Sequence, residues 1–273
     1  MPEGPEIRRA ADRISGVLTG QRLDEVYLAP KSLQGFQNTL IGATVSQIDT
    51  RGKAILTRFD NGLTLYSHNQ LYGRWYVRNR GELPRTARIL RVALHTATHS
   101  ALLYSATAIE VLDFAGLEAH PFLSRLGPDI LDPHLSWQAL ASRLNEPRFR
   151  GRSLASLYLD QTFVAGIGNY LRSEILYFAG LTHLRHPADL SRSERQRLAR
   201  QTLAVAQRSY QTGGVTNPPS KVRLRKTAGD KSRSGHRFGV FARDGRPCDV
   251  CGEIILRVNA GARRLYCCPR CQN

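Results

Sequence analysis

The stretch CDVCGEIILRVNAGARRLYCCPRC, residues 248–271, decides how the end of this chain folds. It contains two Cys-x-x-Cys pairs separated by sixteen residues, and no cysteine occurs earlier in the chain. Each pair supplies two thiolates to neighbouring corners of a tetrahedron, which is the geometry of structural zinc sites. Because four protein ligands leave no open coordination position, we expect one structural Zn2+ bound by Cys248, Cys251, Cys268 and Cys271. Cys267 is left outside this ligand set.

Two short runs lie between the cysteine pairs, ILRV at 255–258 and RRLY at 263–266. Asn259, Ala260 and Gly261 are expected to join them, which predicts a β-hairpin. On composition alone, Arg263 and Arg264 at the start of the second run are interpreted as solvated surface cations or phosphate contacts.

Helical periodicity dominates the region before this unit, residues 134–236. Three of its segments are SWQALASRL, SLASLYLDQTFVAG and NYLRSEILYFAGL. A further helix is expected to begin after Ser191, because Ser191 and Glu194 match a capping box. Gly, Pro, Ser, Lys and Arg are concentrated at 213–236, which predicts a basic loop.

The first 124 residues have a different pattern. An amphipathic helix is expected first, with Pro5 in its first turn and Gly20 after its end. Short runs from Leu23 to about Ser105 predict β-strands, and the sequence Asp-Asn-Gly at 60–62 predicts a hairpin turn. Several strands at this spacing indicate a sandwich or a barrel.

The charge balance indicates a polyanionic partner. The chain has 39 Lys and Arg against 22 Asp and Glu, a net charge of +17. Nucleic acid is the expected partner because cationic side chains neutralise phosphates; solubility and attachment to a membrane surface are the alternatives. Nothing resembles a signal peptide, and no apolar run approaches the ~18 residues of a membrane span. We therefore expect a cytoplasmic protein without a membrane partner.

The segment HPFLSRLGPDILDPH at 120–134 contains three prolines and marks the boundary between domains. We therefore expect an α+β protein in four parts. They are an N-terminal domain (1–124), a linker (125–133), a helical domain with the basic loop (134–236) and a zinc finger (237–273).

Pro2 is the residue with the most chemistry at the N-terminus. Removal of Met1 would leave Pro2 with a free secondary amine, and α-amino groups titrate near neutrality. Such an amine can attack a sugar C1′ to give an iminium ion, which is an electron sink for elimination. Glu3 and Glu6 share a helix face, and one of them could act as a general acid. On spacing alone, an ordinary helix start is the favoured interpretation of these residues.

Six features occur along the chain in the order MPEGPEIRRAADRI, TRGKAILTRF, LYSHNQLYGRW, RLGPDIL, GIGNYLRSEIL and the four cysteines. In this order they resemble the Fpg/Nei DNA glycosylases, and most of all the endonuclease VIII branch of that family. The resemblance implies an N-terminal β-sandwich with a flanking helix. It also implies a C-terminal helix–two-turn–helix domain with a zinc-ribbon-like β-hairpin.

The resemblance assigns the catalytic set. It implies that Pro2 is the Schiff-base nucleophile and that Glu3 is the proton donor that assists base loss. Glu6 matches a second acidic residue of the active site. Lys53 matches a lysine that reaches the active site from a strand, contacts phosphate and assists the glycosylase or β-elimination step. A strand lysine is otherwise usually on the surface. Arg263 matches the zinc-hairpin arginine that grips the phosphates beside the lesion and is linked to δ-elimination.

The resemblance also assigns DNA contacts. Asn169 matches a phosphate contact at the start of the second helix of the two-turn motif, where an N-cap is the alternative. Arg125 matches a further DNA contact. The stretch Gln70-Leu71-Tyr72 matches the wedge that fills the gap left by an extruded base. Without the resemblance, Leu71 and Tyr72 would be interpreted as strand core.

The implied function is a bifunctional DNA glycosylase and AP lyase of base excision repair. The endonuclease VIII branch implies oxidised pyrimidines in damaged double-stranded DNA, a monomeric enzyme and β,δ-elimination in the bacterial nucleoid. Two alternatives stay open. One is a non-catalytic damage-binding protein of the same fold, and the other is an enzyme for 8-oxoguanine and formamidopyrimidine.

Overall fold

A computed structural model describes residues 2–227, 229 and 232–273. The chain divides into two compact units. The first contains Pro2 and residues 6–125, and the second contains residues 3–5 and 126–273. The expected α+β class is confirmed, while the linker at 125–133 and the boundary at 236/237 stay predictions.

Helix α1 (Gly4–Leu18) provides an apolar face to the first unit. Pro5 lies in its first turn, where a missing N–H costs nothing. Ile7, Ala11 and Ile14 recur at helical spacing and are each 1% exposed. Full burial of an isoleucine side chain stabilises a fold by about 1.5–3 kcal/mol relative to leaving it exposed.

Two four-stranded antiparallel sheets form the sandwich of the first unit. One has the strand order β1-β6-β7-β5 and the other β2-β3-β4-β8. Their bounds are β1 (Glu25–Leu28), β2 (Val45–Arg51), β3 (Ala54–Phe59), β4 (Thr64–His68), β5 (Arg74–Asn79), β6 (Leu90–His95), β7 (His99–Tyr104) and β8 (Ala108–Leu112). Side chains of both sheets and of α1 form one buried cluster.

Short helices complete the first unit. They are α2 (Gln37–Leu40), α3 (Phe114–Ala119) and two 3-10 helices, Lys31–Phe36 and Leu123–Arg125. The expected hairpin at 60–62 is confirmed, since β3 pairs with β4 on either side of it. The strands continue beyond Ser105 because β8 adds an edge to the second sheet.

Helices α4 to α8 form the body of the second unit. They are α4 (Trp137–Arg143), α5 (Pro147–Arg150), α6 (Leu154–Leu157), α7 (Asn169–Ala179) and α8 (Arg192–Gln211), with a 3-10 helix at Pro187–Asp189. Helix α7 packs against α8, and its Leu171, Ile175 and Leu176 are fully buried. The expected capping box at Ser191 and Glu194 is present.

The segment 153–166 differs from the expected long helix. Only α6 forms, because side chains after it bind the backbone in place of helical hydrogen bonds. Asp160 Oδ1 accepts from the Thr162 N–H at 2.8 Å. Gln161 Nε2 donates to the Ile167 carbonyl at 2.9 Å, and Gln161 Oε1 accepts from the Gly166 N–H at 3.0 Å. These contacts build the turns that lead into α7.

The expected basic loop at 213–236 is partly helical. Helices α9 (Pro219–Thr227) and α10 (Arg233–Arg237) lie within it, so a loop over this whole range is wrong. Long-range contacts fix α9: Arg225 Nε donates to Asp249 Oδ2 at 2.9 Å. Residues 228, 230 and 231 of the expected loop lie outside the described residues.

A hairpin of β9 (Leu256–Ala260) and β10 (Arg263–Cys267) ends the second unit. Gly261 and Ala262 form the turn, and Gly261 has φ +63. The expected turn at 259–261 is therefore shifted, because Asn259 and Ala260 pair with Arg264 and Arg263. Leu265 and Cys267 are buried in the helical core. Cys267, the cysteine outside the predicted ligand set, therefore has an apolar environment. Among the described helices, none is both long and apolar enough to cross a bilayer.

Candidate functional site

Glu3 is bound at the N-terminus of α7. Its Oε2 accepts from the Gly168 N–H at 2.7 Å and the Leu171 N–H at 3.2 Å, and its Oε1 accepts from the Tyr170 N–H at 2.8 Å. The side chain is 3% exposed. The first N–H groups of a helix have no partner within the helix and carry its positive end. A negative carboxylate satisfies them, so Glu3 is fixed to a helix that begins 166 residues later.

Glycines allow this close approach. A Cβ at Gly168 would lie 2.4 Å from the Glu3 Cδ, which no other residue type can accommodate without a shift. Gly166 has φ +98, a conformation that glycine adopts without strain. The Gly4 N–H donates to the Gly166 carbonyl at 2.8 Å. The motif Gly-Ile-Gly therefore receives the first residues of the chain.

Arg172 links Asn169 to the hairpin. It is fully buried, and its Nη2 donates to Asn169 Oδ1 at 2.7 Å and to the Arg264 carbonyl at 3.0 Å. Burial lowers the pKa of Arg172 to about 10; the Glu3 charge opposes this shift and the Arg263 charge adds to it. Gly168 is the N-cap of α7, so the alternative reading of Asn169 as the N-cap is wrong.

The two neighbouring arginines of the hairpin differ in orientation. Residues alternate between the faces of a strand, so Arg263 shares a face with Leu265, which packs into the helical core. Arg264 shares the other face with Tyr266, which packs around the cysteines. Arg263 lines a cavity of about 510 Å³ together with Arg172. Both arginines are exposed at the start of β10.

The four predicted metal ligands converge. The Sγ atoms of Cys248, Cys251, Cys268 and Cys271 all lie within 4.8 Å of one another. Cys248 and Cys271 Sγ are 3.9 Å apart, and Cys251 and Cys268 Sγ are 3.4 Å apart. Tetrahedral Zn–S bonds of ~2.3 Å place sulfurs roughly 3.8 Å apart. The four thiols are therefore close enough to bind one metal ion.

Glu174 is a buried acid that sequence reasoning missed. It is fully buried, and it accepts hydrogen bonds from the N–H groups of Gly239, Val240 and Phe241, each at 2.8 Å, and from the Thr216 hydroxyl. It thereby joins α7 to the segment before the cysteines. The available signal was a charged residue inside the otherwise apolar run of α7, a signal that applies equally to Arg172.

In the first unit, Lys53 lies in the turn between β2 and β3 and is half-buried. Burial lowers the pKa of the neighbouring His68, and the Lys53 charge lowers it further. Pro2 and Glu6 are also half-buried, and Glu6 lies in the first turn of α1. The side chains of these residues are therefore only partly accessible to solvent.

The wedge stretch forms a tight exposed turn between β4 and β5. Leu71 is 53% exposed and Tyr72 is 65% exposed, so their interpretation as strand core is wrong. Gln70 has φ +48, and the Gly73 N–H donates to the Asn69 carbonyl at 2.7 Å. The turn is held from outside by the Thr107 hydroxyl, which donates to Gln70 Oε1, and by Arg88, which donates to the Tyr72 carbonyl.

Arg125 ends the 3-10 helix at Leu123–Arg125. Its Nε donates to the Pro121 carbonyl at 2.8 Å, and the residue is exposed. The structure thus gathers the predicted residues into separate groups. Glu3, Asn169 and Arg263 lie around Arg172, which was not predicted, and the cysteines and the wedge form two further groups. Lys53 lies beside His68, which was not predicted either.

Known proteins match the whole chain. Residues 1–107 match the formamidopyrimidine-DNA glycosylase N-terminal domain, and residues 126–218 match the formamidopyrimidine-DNA glycosylase H2TH domain. The chain is 50% identical to Endonuclease 8 of Escherichia coli and 48% identical to Endonuclease 8 of Shigella sonnei, with 100% of each chain covered.

Solved structures show the same fold. A complex of the LlFpg protein with a THF-DNA and an inhibitor has a TM-score of 0.81 at 20% identity, covering 100% of both chains. Lactococcus lactis formamidopyrimidine-DNA glycosylase bound non-covalently to DNA containing an AP site has a TM-score of 0.80 at 19% identity, covering 99% of both. The chain therefore belongs to the formamidopyrimidine-DNA glycosylase family, and it is a DNA glycosylase and AP lyase of base excision repair.

Proposed function

We propose that this enzyme removes oxidised pyrimidines from double-stranded DNA through a Schiff base on Pro2. The observation that carries the proposal is the fixed position of Glu3 on the N-terminus of α7. Pro2 directly precedes Glu3 in the chain, so removal of Met1 places a free amine on the residue next to a held carboxylate. α-Amino groups titrate near neutral pH, so a substantial fraction of them is unprotonated and has a free electron pair for attack.

The chemistry follows from these groups. The Pro2 nitrogen attacks C1′ of the damaged nucleotide as the bond from C1′ to the base breaks, and Glu3 assists departure of the base by proton transfer. The sugar ring opens to give an iminium ion. Loss of a C2′ proton then expels the 3′ phosphate, and a second elimination expels the 5′ phosphate. Hydrolysis of the iminium releases the enzyme, and a one-nucleotide gap remains.

Cationic and helix-terminal groups would hold the phosphates. Asn169 begins α7, and its Oδ1 accepts from Arg172, so its side-chain NH2 group is left to donate to a phosphate. Arg263 shares a cavity with buried Arg172, which supports Arg263 over Arg264 as the phosphate ligand. We assign Lys53 and Arg125 to further phosphate contacts, and Glu6 to the acidic part of the active site.

The exposed wedge suits insertion into a duplex. Leu71 and Tyr72 present apolar and aromatic surface to solvent, and the amide of Gln70 can bond an orphaned base. The braces from Thr107 and Arg88 fix this turn before DNA binds. We therefore assign Gln70, Leu71 and Tyr72 to filling the gap left by the extruded nucleotide.

We assign a structural zinc ion to the four cysteines. Four converging thiolates are a typical ligand set for zinc. Because they fill all four coordination positions, no position is left for a catalytic water or substrate. We also propose that the enzyme acts as a monomer on the chromosome in the bacterial cytoplasm. Light scattering of the free protein at micromolar concentration tests the monomer: a mass of twice the 30.5 kDa chain would contradict it.

A borohydride trap on a panel of lesions tests the reaction. Reduction converts the iminium into a stable amine that joins protein and DNA. We expect an adduct with thymine glycol opposite adenine and much less with 8-oxoguanine opposite cytosine. The reverse order would support the purine-lesion alternative. Binding to damaged DNA without any adduct would support the non-catalytic alternative.

Substitution of the hairpin arginines tests the phosphate assignment. We expect Arg263→Ala to weaken DNA binding and to reduce the slope of log K against log salt by about 1, because one phosphate contact is lost. The product should also shift from δ- towards β-elimination. Arg264→Ala is the matched control and should change neither. The opposite pattern would assign the phosphate contact to Arg264.

A further inference from the structure

We propose that Tyr177 is a positioning residue of the metal site, and that its hydroxyl, held by Lys221 of α9, orients the Cys248 thiolate and slows release of the metal. This inference rests on the zinc assignment made above. It concerns residues outside the four ligands and outside the DNA-binding and catalytic sets.

The central contact is a hydrogen bond to sulfur. Tyr177 Oη lies 3.3 Å from Cys248 Sγ, and both side chains are buried. A phenol has one O–H to donate, and a metal-bound thiolate has no proton, so it can only accept. Tyr177 is therefore the donor in the metal-loaded protein.

Packing fixes the direction of this donor. Tyr177 lies in α7, and its ring lies against Gly239 so closely that a Cβ there would be 2.7 Å from Tyr177 Cε1. Phe178 packs edge-on to the ring, with the centroids 5.2 Å apart. Because the ring has little room to turn, its hydroxyl stays directed at the ligand.

Lys221 occupies the other side of the hydroxyl. Its Nζ lies 3.4 Å from Tyr177 Oη, and 5.4 Å and 5.8 Å from the centroids of the Tyr177 and Phe178 rings. An ammonium group donates only, so it bonds to the lone pairs of the phenol oxygen. The Tyr177 proton is thereby left for Cys248. The cation also polarises the O–H group and strengthens its donation to sulfur.

A second contact, one helical turn away, holds Lys221 in place. Arg225 of α9 pairs with Asp249, and Asp249 lies between the ligands Cys248 and Cys251. Arg243 holds the same carboxylate, with its Nη2 3.0 Å from Asp249 Oδ1. Lys221 and Arg225 are four residues apart and so lie on one face of α9. This face of the helix is therefore anchored to the metal-binding turn at two points.

The expected consequence is slower metal loss. Partners that bind the ligands of a metal ion orient them, and their removal typically costs about 10–100-fold in metal affinity. The hydroxyl of Tyr177 supplies this orientation at Cys248.

The rate of zinc transfer to a chromogenic chelator tests the inference. The full-length protein is loaded with one equivalent of zinc and mixed with excess 4-(2-pyridylazo)resorcinol. We expect Tyr177→Phe to release zinc about tenfold faster than the unsubstituted chain. Tyr158→Phe is the matched control, because it also removes a buried hydroxyl, one bonded to Thr202 at 2.8 Å. That control should stay within twofold of the unsubstituted chain.

A second variant separates the effect of the hydrogen bonds from Lys221 to Tyr177 and from Tyr177 to Cys248 from the effect of general packing. Lys221→Met keeps an aliphatic side chain against the rings of Tyr177 and Phe178 and removes only the ammonium group. We therefore expect it to speed zinc release, but less than Tyr177→Phe does. If Tyr177→Phe does not fold, Lys221→Met decides the question alone. Release within twofold of the unsubstituted chain in the folded variants would overturn the inference. A chain that binds no zinc would overturn it together with the zinc assignment, whereas the borohydride trap tests the lyase chemistry independently.

Discussion

A chain whose Pro2 is preceded by a residue that cannot be removed should form no borohydride-trapped adduct with damaged DNA. The proline nitrogen is then part of an amide, and its electron pair is delocalised into the carbonyl. It cannot attack C1′, so both the glycosylase and the lyase steps through the iminium are lost. Removal of a covalent nucleophile commonly lowers turnover by on the order of 10³-fold or more. Gel electrophoresis of the trapped complex on thymine-glycol DNA measures the effect.

A cleavable extension provides the control. The same chain carries a protease site that ends immediately before Pro2, and cleavage should restore the adduct with the free amine. Pro2→Gly replaces the secondary amine with a primary amine and should trap weakly. DNA binding by the blocked chain should persist, because Asn169, Arg263 and the wedge are unchanged. A blocked chain that still forms the adduct would assign the Schiff base to a lysine.

Glu174→Ala should lower the free energy of unfolding by about 3 kcal/mol or more. The substitution leaves the buried N–H groups of Gly239, Val240 and Phe241 without the carboxylate that they bind. Each unsatisfied buried donor costs about 1–3 kcal/mol, and donors to a charged group are at the upper end. Urea unfolding of the zinc-loaded protein, followed by circular dichroism, measures the change.

Glu118→Ala is the matched control for this loss of a carboxylate. Glu118 is exposed in α3, and a surface substitution usually changes stability by less than about 0.5 kcal/mol. Thr216→Val removes only one of the four donors to Glu174 and should cost less than Glu174→Ala. Equal stability of Glu174→Ala and the unsubstituted chain would mean that water replaces the carboxylate at this site.

Local patterns predicted those parts of the fold that depend on neighbours in sequence. The periodicity of α1, the hairpin turn at 60–62 and the capping box before α8 each involve residues a few positions apart. The cysteine spacing likewise predicted a cluster that the structure forms. Such features need no knowledge of which distant segments meet.

Features that depend on distant contacts were beyond the sequence patterns. Helix α9 forms in a segment of loop-like composition because Arg225 binds Asp249, 24 residues away. The segment after α6 leaves the helix through nearer contacts, five and six residues apart, between the Gln161 side chain and the backbone of Gly166 and Ile167, which helical periodicity does not reveal. The carboxylate at the start of α7 comes from Glu3, which no local rule for helix caps would select.

The bond between Glu3 and α7 has a consequence for the order of events during synthesis. The acceptor is translated 165 to 168 positions before its donors at Gly168, Tyr170 and Leu171. Under the proposed mechanism, a nascent chain trimmed of Met1 exposes its Pro2 amine before the helix that binds Glu3 exists. We therefore expect an unfinished chain that lacks α7 not to cut DNA.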